Sequence, residues 1–226
     1  GFSEHLLLFK ENQHWSIDPE NVQAYLDYID NLIKDKGPVI IRKALEIDYL
    51  PGREKETEEF LSRFDLDYRI GSVHYLGEKT VDSGPEFYAG KNIDHLYESY
   101  FDHVIAAADS GIFDIIGHCD LIRIHGFKPA NSPEYLYRKL AKALKRNNIA
   151  FELNTNGRNR PLADFYPDRR FLNIFKEENV AVCVNSDAHM SGRLGQYFDE
   201  AYELLRYAGF SEMAVFEGRK RKMVPF

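Results

Sequence analysis

Four imidazoles and two carboxylates stand where this chain could do chemistry: His5, Glu46, His74, His118, Asp187 and His189. Two of them share the string Asn185-Ser186-Asp187-Ala188-His189, which follows the apolar run Ala181-Val182-Cys183-Val184. A run that short and β-branched favours a strand, and in an extended segment residues two apart point the same way. On that reading the strand runs on to His189, and Asp187 and His189 reach one cavity. An oxygen donor beside a nitrogen donor suits Zn, Mn or Fe better than Ca or Mg. Together the six can hold two or three divalent ions, with a carboxylate such as Glu46 bridging a pair about 3.5–4 Å apart. Such ions acidify water and neutralise an oxyanion or phosphoryl group as charge builds. A lone imidazole at any of these places is as readily a hydrogen-bonded loop residue. Only the recurrence of six at one kind of position separates them from that role.

The elements that must position them alternate. After residues 1–5 comes a loop over 10–14, then Asp18-Pro19 opens a helix. Val22, Tyr25, Leu26, Ile29, Leu32 and Ile33 recur at helical spacing until Gly37-Pro38 stops the run. Further strands are predicted over 39–47, 68–73, 112–116, 149–153, 181–189 and 213–216, and helices over 54–64, 92–110, 132–148, 168–179 and 192–208. Strands alternating with helices imply a parallel sheet, because each crossover needs a helix to return the chain to the same edge. About six such units can close into a barrel. All six candidate ligands fall at or just past the C-terminal ends of predicted strands, and in a β/α barrel those ends converge on one mouth. Residues 78–91, with Gly84-Pro85 and Gly90, form a loop on that side, placed to cover a site.

Arginines gather there too: Arg123, Arg158, Arg160 and Arg193. Guanidinium forks take phosphate bidentately, which suits a phosphate ester beside metal ions. Simple surface exposure explains any one of them equally well, and the spacing of Arg158 and Arg160 around Asn159 favours one of that pair facing inward. His95 and His103 fall in a predicted helix, where an exposed imidazole is ordinary. His14 and His125 are the remaining imidazoles within reach of the mouth. Tyr49, Tyr75 and Tyr88 suit a pocket lining and barrel packing alike.

Other chemistries lack their motifs. Gly-x-Gly-x-x-Gly, Gly-x-x-x-x-Gly-Lys-Ser/Thr and Gly-x-Ser-x-Gly are all absent. A balance of 29 basic against 36 acidic residues, net -7, argues against nucleic acid or an anionic membrane as partner and for a small-molecule substrate. No run approaches the ~20 apolar residues a membrane span needs, and the start has no signal-peptide layout. Cys119 and Cys183 sit in apolar runs without a CxxC pair, as expected of reduced, buried thiols in a cytoplasmic protein. One domain over 1–226 is the simplest organisation.

Six strings, in order, carry a family resemblance: Gly1-Phe2-Ser3-Glu4-His5, Leu45-Glu46-Ile47-Asp48, Gly71-Ser72-Val73-His74-Tyr75-Leu76, Ile116-Gly117-His118-Cys119-Asp120-Leu121-Ile122-Arg123, Glu152-Leu153-Asn154-Thr155 and Asn185-Ser186-Asp187-Ala188-His189. The set resembles the polymerase-and-histidinol-phosphatase (PHP) superfamily. Ser-Val-His-Tyr-Leu, Gly-His-x-Asp-Leu-Ile and Glu-Leu-Asn-Thr look like its histidinol-phosphate phosphatase branch. The resemblance spans nearly the whole chain. It implies an α/β fold, a distorted (β/α)7 TIM-like barrel, with a trinuclear metal centre. The implied reaction is hydrolysis of L-histidinol phosphate to L-histidinol and phosphate, a late step of histidine biosynthesis. Carried over by position, His5, Glu46, His74, His118, Asp187 and His189 become metal ligands. Glu46, Asp187 and His189 are then the catalytic members, and water activated by the ions attacks phosphorus in line. Arg123 and an arginine of the Arg158 to Arg160 loop would hold the phosphate.

Two features depart from the family. Its opening strand bears His-x-His, and no His-x-His occurs here. The expectation is that the first β/α unit is missing, either because upstream residues lie outside this sequence or because this is a short form with an incomplete centre. A missing strand would leave an open barrel edge that something must cover. The family loop also usually reads Gly-Leu-Arg-Lys-Pro, whereas Gly157-Arg158-Asn159-Arg160-Pro161 puts asparagine at the arginine position and leaves open which arginine substitutes. The alternatives are a related phosphoesterase acting on another small phosphate ester or a nucleotide, and a degenerate barrel that binds a metal, ligand or partner without turnover. Assembly as a homo-oligomer stays open.

Overall fold

The computed structural model describes residues 1–10, 14–35 and 37–226; the part of the expected loop at 11–13 lies outside the described residues. In chain order the elements are β1 (Phe2–Leu6), α1 (Val22–Asp35), β2 (Lys43–Asp48), α2 (Glu54–Leu61), β3 (Tyr68–Ser72), a short hairpin β4 (Tyr75–Leu76) and β5 (Lys79–Thr80), α3 (Ile93–Asp109), β6 (Ile115–Ile116), α4 (Glu134–Arg146), β7 (Ala150–Asn154), α5 (Leu172–Glu177), β8 (Val182–Asn185), α6 (Phe198–Tyr207), and a closing hairpin β9 (Glu212–Glu217) and β10 (Lys220–Pro225). Six of the strands form one curled sheet in the order β1-β2-β3-β6-β7-β8, every neighbouring pair parallel.

Alternation along the strands divides the sheet into two faces. Leu45, Ile47, Ile116, Phe151, Leu153 and Val182 belong to the main core, with Tyr100, Phe101 and Val104 of α3, Leu140 and Leu144 of α4 and Phe175 of α5. The residues between them, Glu46, Asp48, Ser72, Glu152 and Asn154, are buried and polar. Toward the strand starts, Ile70, Ile115, Ala150 and Cys183 pack against Ala214 and Phe216 of β9. The turn of that hairpin is fastened to the same end: Gly218 N–H donates to Asp67, and the Arg219 guanidinium pairs with Asp114 at 3.0 Å. Asp67 and Asp114 each stand just before a strand, β3 and β6. The hairpin therefore plugs the N-terminal end of the curled sheet and leaves the other end open.

Several expected elements are shorter. The strand expected over 39–47 begins only at Lys43, and Val39 and Ile40 are 58% and 70% exposed. Apolar β-branched residues without a facing layer gain nothing by joining the sheet. The strand expected to reach His189 stops at Asn185. The covering loop at 78–91 is partly built: Tyr75–Leu76 pairs antiparallel with Lys79–Thr80, and Val81, Phe87 and Tyr88 are buried. Among the described residues no ladder joins β1 to β8, and a cleft of about 590 Å³ lies between them, lined by Ser3, His5, Glu46, Glu152, Asn185 and Asp187. No helix among the described residues is long and apolar enough to cross a membrane.

Candidate metal centre

Glu46 sits at the middle of the open end. In the sheet register it lies beside His5 of β1, and the next strands bring His74 and His118 around it. His118 Nε2 is 3.1 Å from Glu46 Oε1, His5 Nδ1 3.7 Å from Oε2 and His74 Nε2 3.9 Å from Oε1. Ser72 donates its hydroxyl to Glu46 Oε1 at 2.7 Å. His118 can come this close because residue 117 is glycine: a Cβ there would lie 2.6 Å from Ser72 Oγ and 2.9 Å from Ile70 Cγ2. Burial pushes the Glu46 carboxyl upward, but the charges of His5 and His118, the His118 hydrogen bond and the charge of His74 outweigh it and hold it well below the usual carboxylate range. Burial works against a charged His118, yet the bond and charge of Glu46 push its pKa up to about 10.

Asp48, two residues along β2 and so on the same face, aims His74. Its Oδ2 meets His74 Nδ1 at 3.0 Å and its Oδ1 accepts the His74 backbone N–H at 3.1 Å. With Nδ1 engaged, Nε2 is the nitrogen left to face Glu46. Burial disfavours protonated His74, but Asp48 prevails and raises its pKa. Glu152 does similar work beneath His118, accepting its backbone N–H at 2.6 Å and amide N–H groups of Asn154 and Asn185 at 3.0 and 2.7 Å. Burial raises the Glu152 pKa.

Asp187 and His189 lie beyond the end of β8, so strand alternation is not what brings them together. Asp187 has φ 45°, left-handed backbone that a non-glycine residue adopts only where its surroundings hold it. Its Oδ2 accepts from Asn154 and Asn156, each at 3.2 Å. The exposed His189 ring stands 5.7 Å from that of His5, and His189 Nδ1 is 3.5 Å from Asp187 Oδ1.

This donor set fits a divalent metal. His5, Glu46 and His74 present one donor atom each within 4.8 Å of the others. Buried His5 Nδ1, 3.7 Å from Glu46 Oε2, has no hydrogen-bond partner among the described residues. Buried polar atoms are normally satisfied, so an orphaned imidazole nitrogen beside a carboxylate marks a place for a cation. Mixed imidazole and carboxylate donors suit Zn, Mn or Fe.

A cavity of about 370 Å³ opens above the cluster, lined by His5, His74, His118, Asp187 and His189 and by Trp15, Asp82, Ser83, Asn156, Arg160 and Tyr166. Of the expected phosphate-binding arginines, only Arg160 is there. Arg123 is buried and committed elsewhere, 3.0 Å from Asp120, 3.5 Å from Asp164 and 3.6 Å from Asp168, and it lines a separate cavity with Tyr97 and Lys128. Burial disfavours its charge, but Asp120, Tyr137 and Asp168 more than compensate and raise its pKa. Arg158 donates to Ala163 O and pairs with Glu200 at 3.1 Å. Arg193, His14 and His125 are likewise not among the cavity's lining residues; the His125 ring packs edge-on against Tyr88. The candidate ligands read from the sequence leave out Asp48, Glu152, Asn156, Tyr166 and Asp82. Asp48, two residues from Glu46, and Glu152 stand within the strings quoted above, and the other three carry no such signal.

A model of the PHP domain family matches residues 1–156 of the chain. Over 215 residues the chain is 35% identical to the probable histidinol-phosphatase of Deinococcus radiodurans, covering 93% of this chain and 80% of that protein. It is 26% identical over 227 residues to the histidinol-phosphatase of Lactococcus lactis, covering 97% of this chain and 83% of the relative. The crystal structure of histidinol phosphate phosphatase from Lactococcus lactis, complexed with zinc, L-histidinol and phosphate, superposes with a TM-score of 0.84 at 23% identity, covering 98% of this chain and 86% of that one. At that identity the superposition speaks for the fold.

Proposed function

The chain belongs to the PHP domain family, and from that premise we propose that it is a metal-dependent phosphomonoesterase that hydrolyses L-histidinol phosphate to L-histidinol and phosphate in histidine biosynthesis. The observation that carries the reading is Glu46, buried among three imidazoles directly beneath a cavity that holds Arg160. The names of the relatives select the substrate. We place two or three divalent ions on His5, Glu46, His74, His118, Asp187 and His189, with zinc first and Mn or Fe as alternatives. The same reading takes the curled sheet as most of a distorted (β/α)7 barrel, all 226 residues as one domain, and the cytoplasm as its setting.

When bound, the ions supply charge neutralisation at the phosphoryl oxygens and a water made acidic enough to attack. The protein's residues do the rest. Glu46 stays anionic and Asp48 keeps His74 Nε2 facing the centre, so the ligand geometry is fixed before substrate arrives. Arg160 takes the phosphate from the cavity side, and no side-chain partner competes for it among the described residues. The Tyr166 hydroxyl, buried at the cavity wall without a hydrogen-bond partner, gives a second donor, and burial raises its pKa so that the proton stays in place. Donors on the cavity side would take up the charge that builds as the ester bond breaks.

Metal analysis paired with phosphate release from L-histidinol phosphate tests the proposal. Stoichiometric metal with turnover that Glu46→Gln abolishes is the expected result. Folded protein with sub-stoichiometric metal and no release would overturn it in favour of a binding role.

A further inference from the structure

The cavity above the cluster has a second charged group besides Arg160. Asp82 lines it from the turn after β5, while Arg160 lines it from the loop after β7. Those loops rise from strands β3 and β7, which β6 separates in the sheet, so the two charges enter from different sides of the mouth.

Asp82 is held there by its neighbours. Val81 is fully buried; its N–H donates to His74 O at 2.8 Å and its carbonyl accepts the Tyr88 hydroxyl at 2.9 Å. Ser83 closes the turn by donating its hydroxyl to Thr80 O at 2.6 Å. The turn is thus tied to the backbone of a metal-ligand residue, and its exposed carboxylate has no ion pair or hydrogen bond among the described residues. Arg160 is the one arginine or lysine among the cavity's lining residues, and Arg123, Arg158 and Lys10 are matched outside it, the arginines by carboxylates and Lys10 by Glu78 at 3.0 Å.

A cavity with one uncommitted cation and one uncommitted anion fits a zwitterion. We infer that Asp82 is the specificity residue of the site, accepting the ammonium group of an amino-alcohol phosphate whose phosphoryl end is held at Arg160 and the metal cluster. This deepens the reading given above and rests on it. A carboxylate that meets only the remote ammonium binds ground state and transition state alike, so its loss falls on KM rather than kcat.

The test compares the zinc-loaded protein with Asp82→Asn on two substrates, L-histidinol phosphate and p-nitrophenyl phosphate, which carries no amine. The expected result is a KM for L-histidinol phosphate raised roughly 10- to 100-fold, the worth of one charge-assisted hydrogen bond, with kcat and the p-nitrophenyl phosphate constants unchanged. Trp15 is the only tryptophan of the chain and lines this cavity, so its emission gives a readout independent of turnover. L-Histidinol should bind Asp82→Asn more weakly by the same factor, and inorganic phosphate should bind it equally well. Equal losses on both substrates, or unchanged histidinol binding, would overturn the role of Asp82 alone. A wild-type protein that cleaves p-nitrophenyl phosphate but not L-histidinol phosphate would overturn the substrate reading itself, and this inference with it.

Discussion

At the scale of single residues, the groups that matter are distinguished by what already holds them. Arg123 and Arg160 both follow strand ends, yet three carboxylates surround the first and none meets the second among the described residues. Arg160→Ala should cost about 10²- to 10³-fold in kcat/KM for the phosphate ester, as loss of one donor to the developing charge does, with the melting temperature unchanged. Arg123→Ala should instead strip buried Asp120 of its counter-charge and cost about 3–5 kcal/mol in denaturant unfolding. Asp48→Asn should leave the fold intact and lower zinc affinity about 10- to 100-fold in a chelator competition, since it touches the metal only through His74. The coupling of Glu46 to its imidazoles also fixes a pH dependence. His118 has its pKa raised to about 10 in the metal-free protein, so its ion pair stabilises fully below the ordinary histidine value of about 6.5 and is lost as pH rises toward about 10. Zinc needs the neutral ring, so metal uptake expels that proton and strengthens over the same span. Melting curves from about pH 6.5 to 8.5 should show the zinc-free protein weakening while the increment given by zinc grows; an increment that does not change with pH would exclude this coupling.

At the scale of elements, the inward rows of the strands do the positioning, and one glycine permits the closest of those approaches. Gly117→Ala would drive a methyl into Ser72 Oγ and the Ile70 side chain, pushing β6 outward and taking His118 from Glu46. Zinc affinity should fall more steeply than thermal stability; affinity equal to wild type by calorimetry would show that the sheet absorbs the methyl. The same strand ends explain what could be seen in the sequence. His74 and His118 follow apolar runs directly, so their place at the mouth was readable from periodicity, and Glu46 from the run it sits in. Arg123 is tied to Asp120 three residues before it, but its other partners Asp164 and Asp168 lie some forty residues on, invisible to local pattern. Strand β10 was invisible for a similar reason: Lys220–Pro225 is charged and mostly exposed, and its pairing depends on a turn anchored to Asp67 and Asp114. Asp187 lines the cavity by a geometry other than the expected strand, since β8 ends at Asn185 and Asp187 has left-handed backbone.

At the scale of the whole molecule, the sheet has a seam. Strands β1 and β8 are its two edges, and no ladder joins them among the described residues. Yet the candidate ligands lie on both sides: His5 from β1, and Asp187 and His189 from the segment after β8, with the His5 and His189 rings 5.7 Å apart. The cleft and the upper cavity share those three residues, so the metal centre stands at the top of the seam. Bound ions would there do structurally what hydrogen bonds do between the inner strands, tying one edge to the other. A ligand that binds only the folded state stabilises it by about 2.7 kcal/mol at a hundred times its dissociation constant, but that gain need not spread evenly. Chelation should therefore raise amide exchange first in β1 and β8. Strands β3 and β6, each paired on both sides, should lose far less protection. Exchange mass spectrometry with and without zinc separates the two cases. A uniform loss of protection across the sheet would mean that the metal supports the fold globally, and protection confined to the loop at 186–189 would mean that it braces a loop and not the seam.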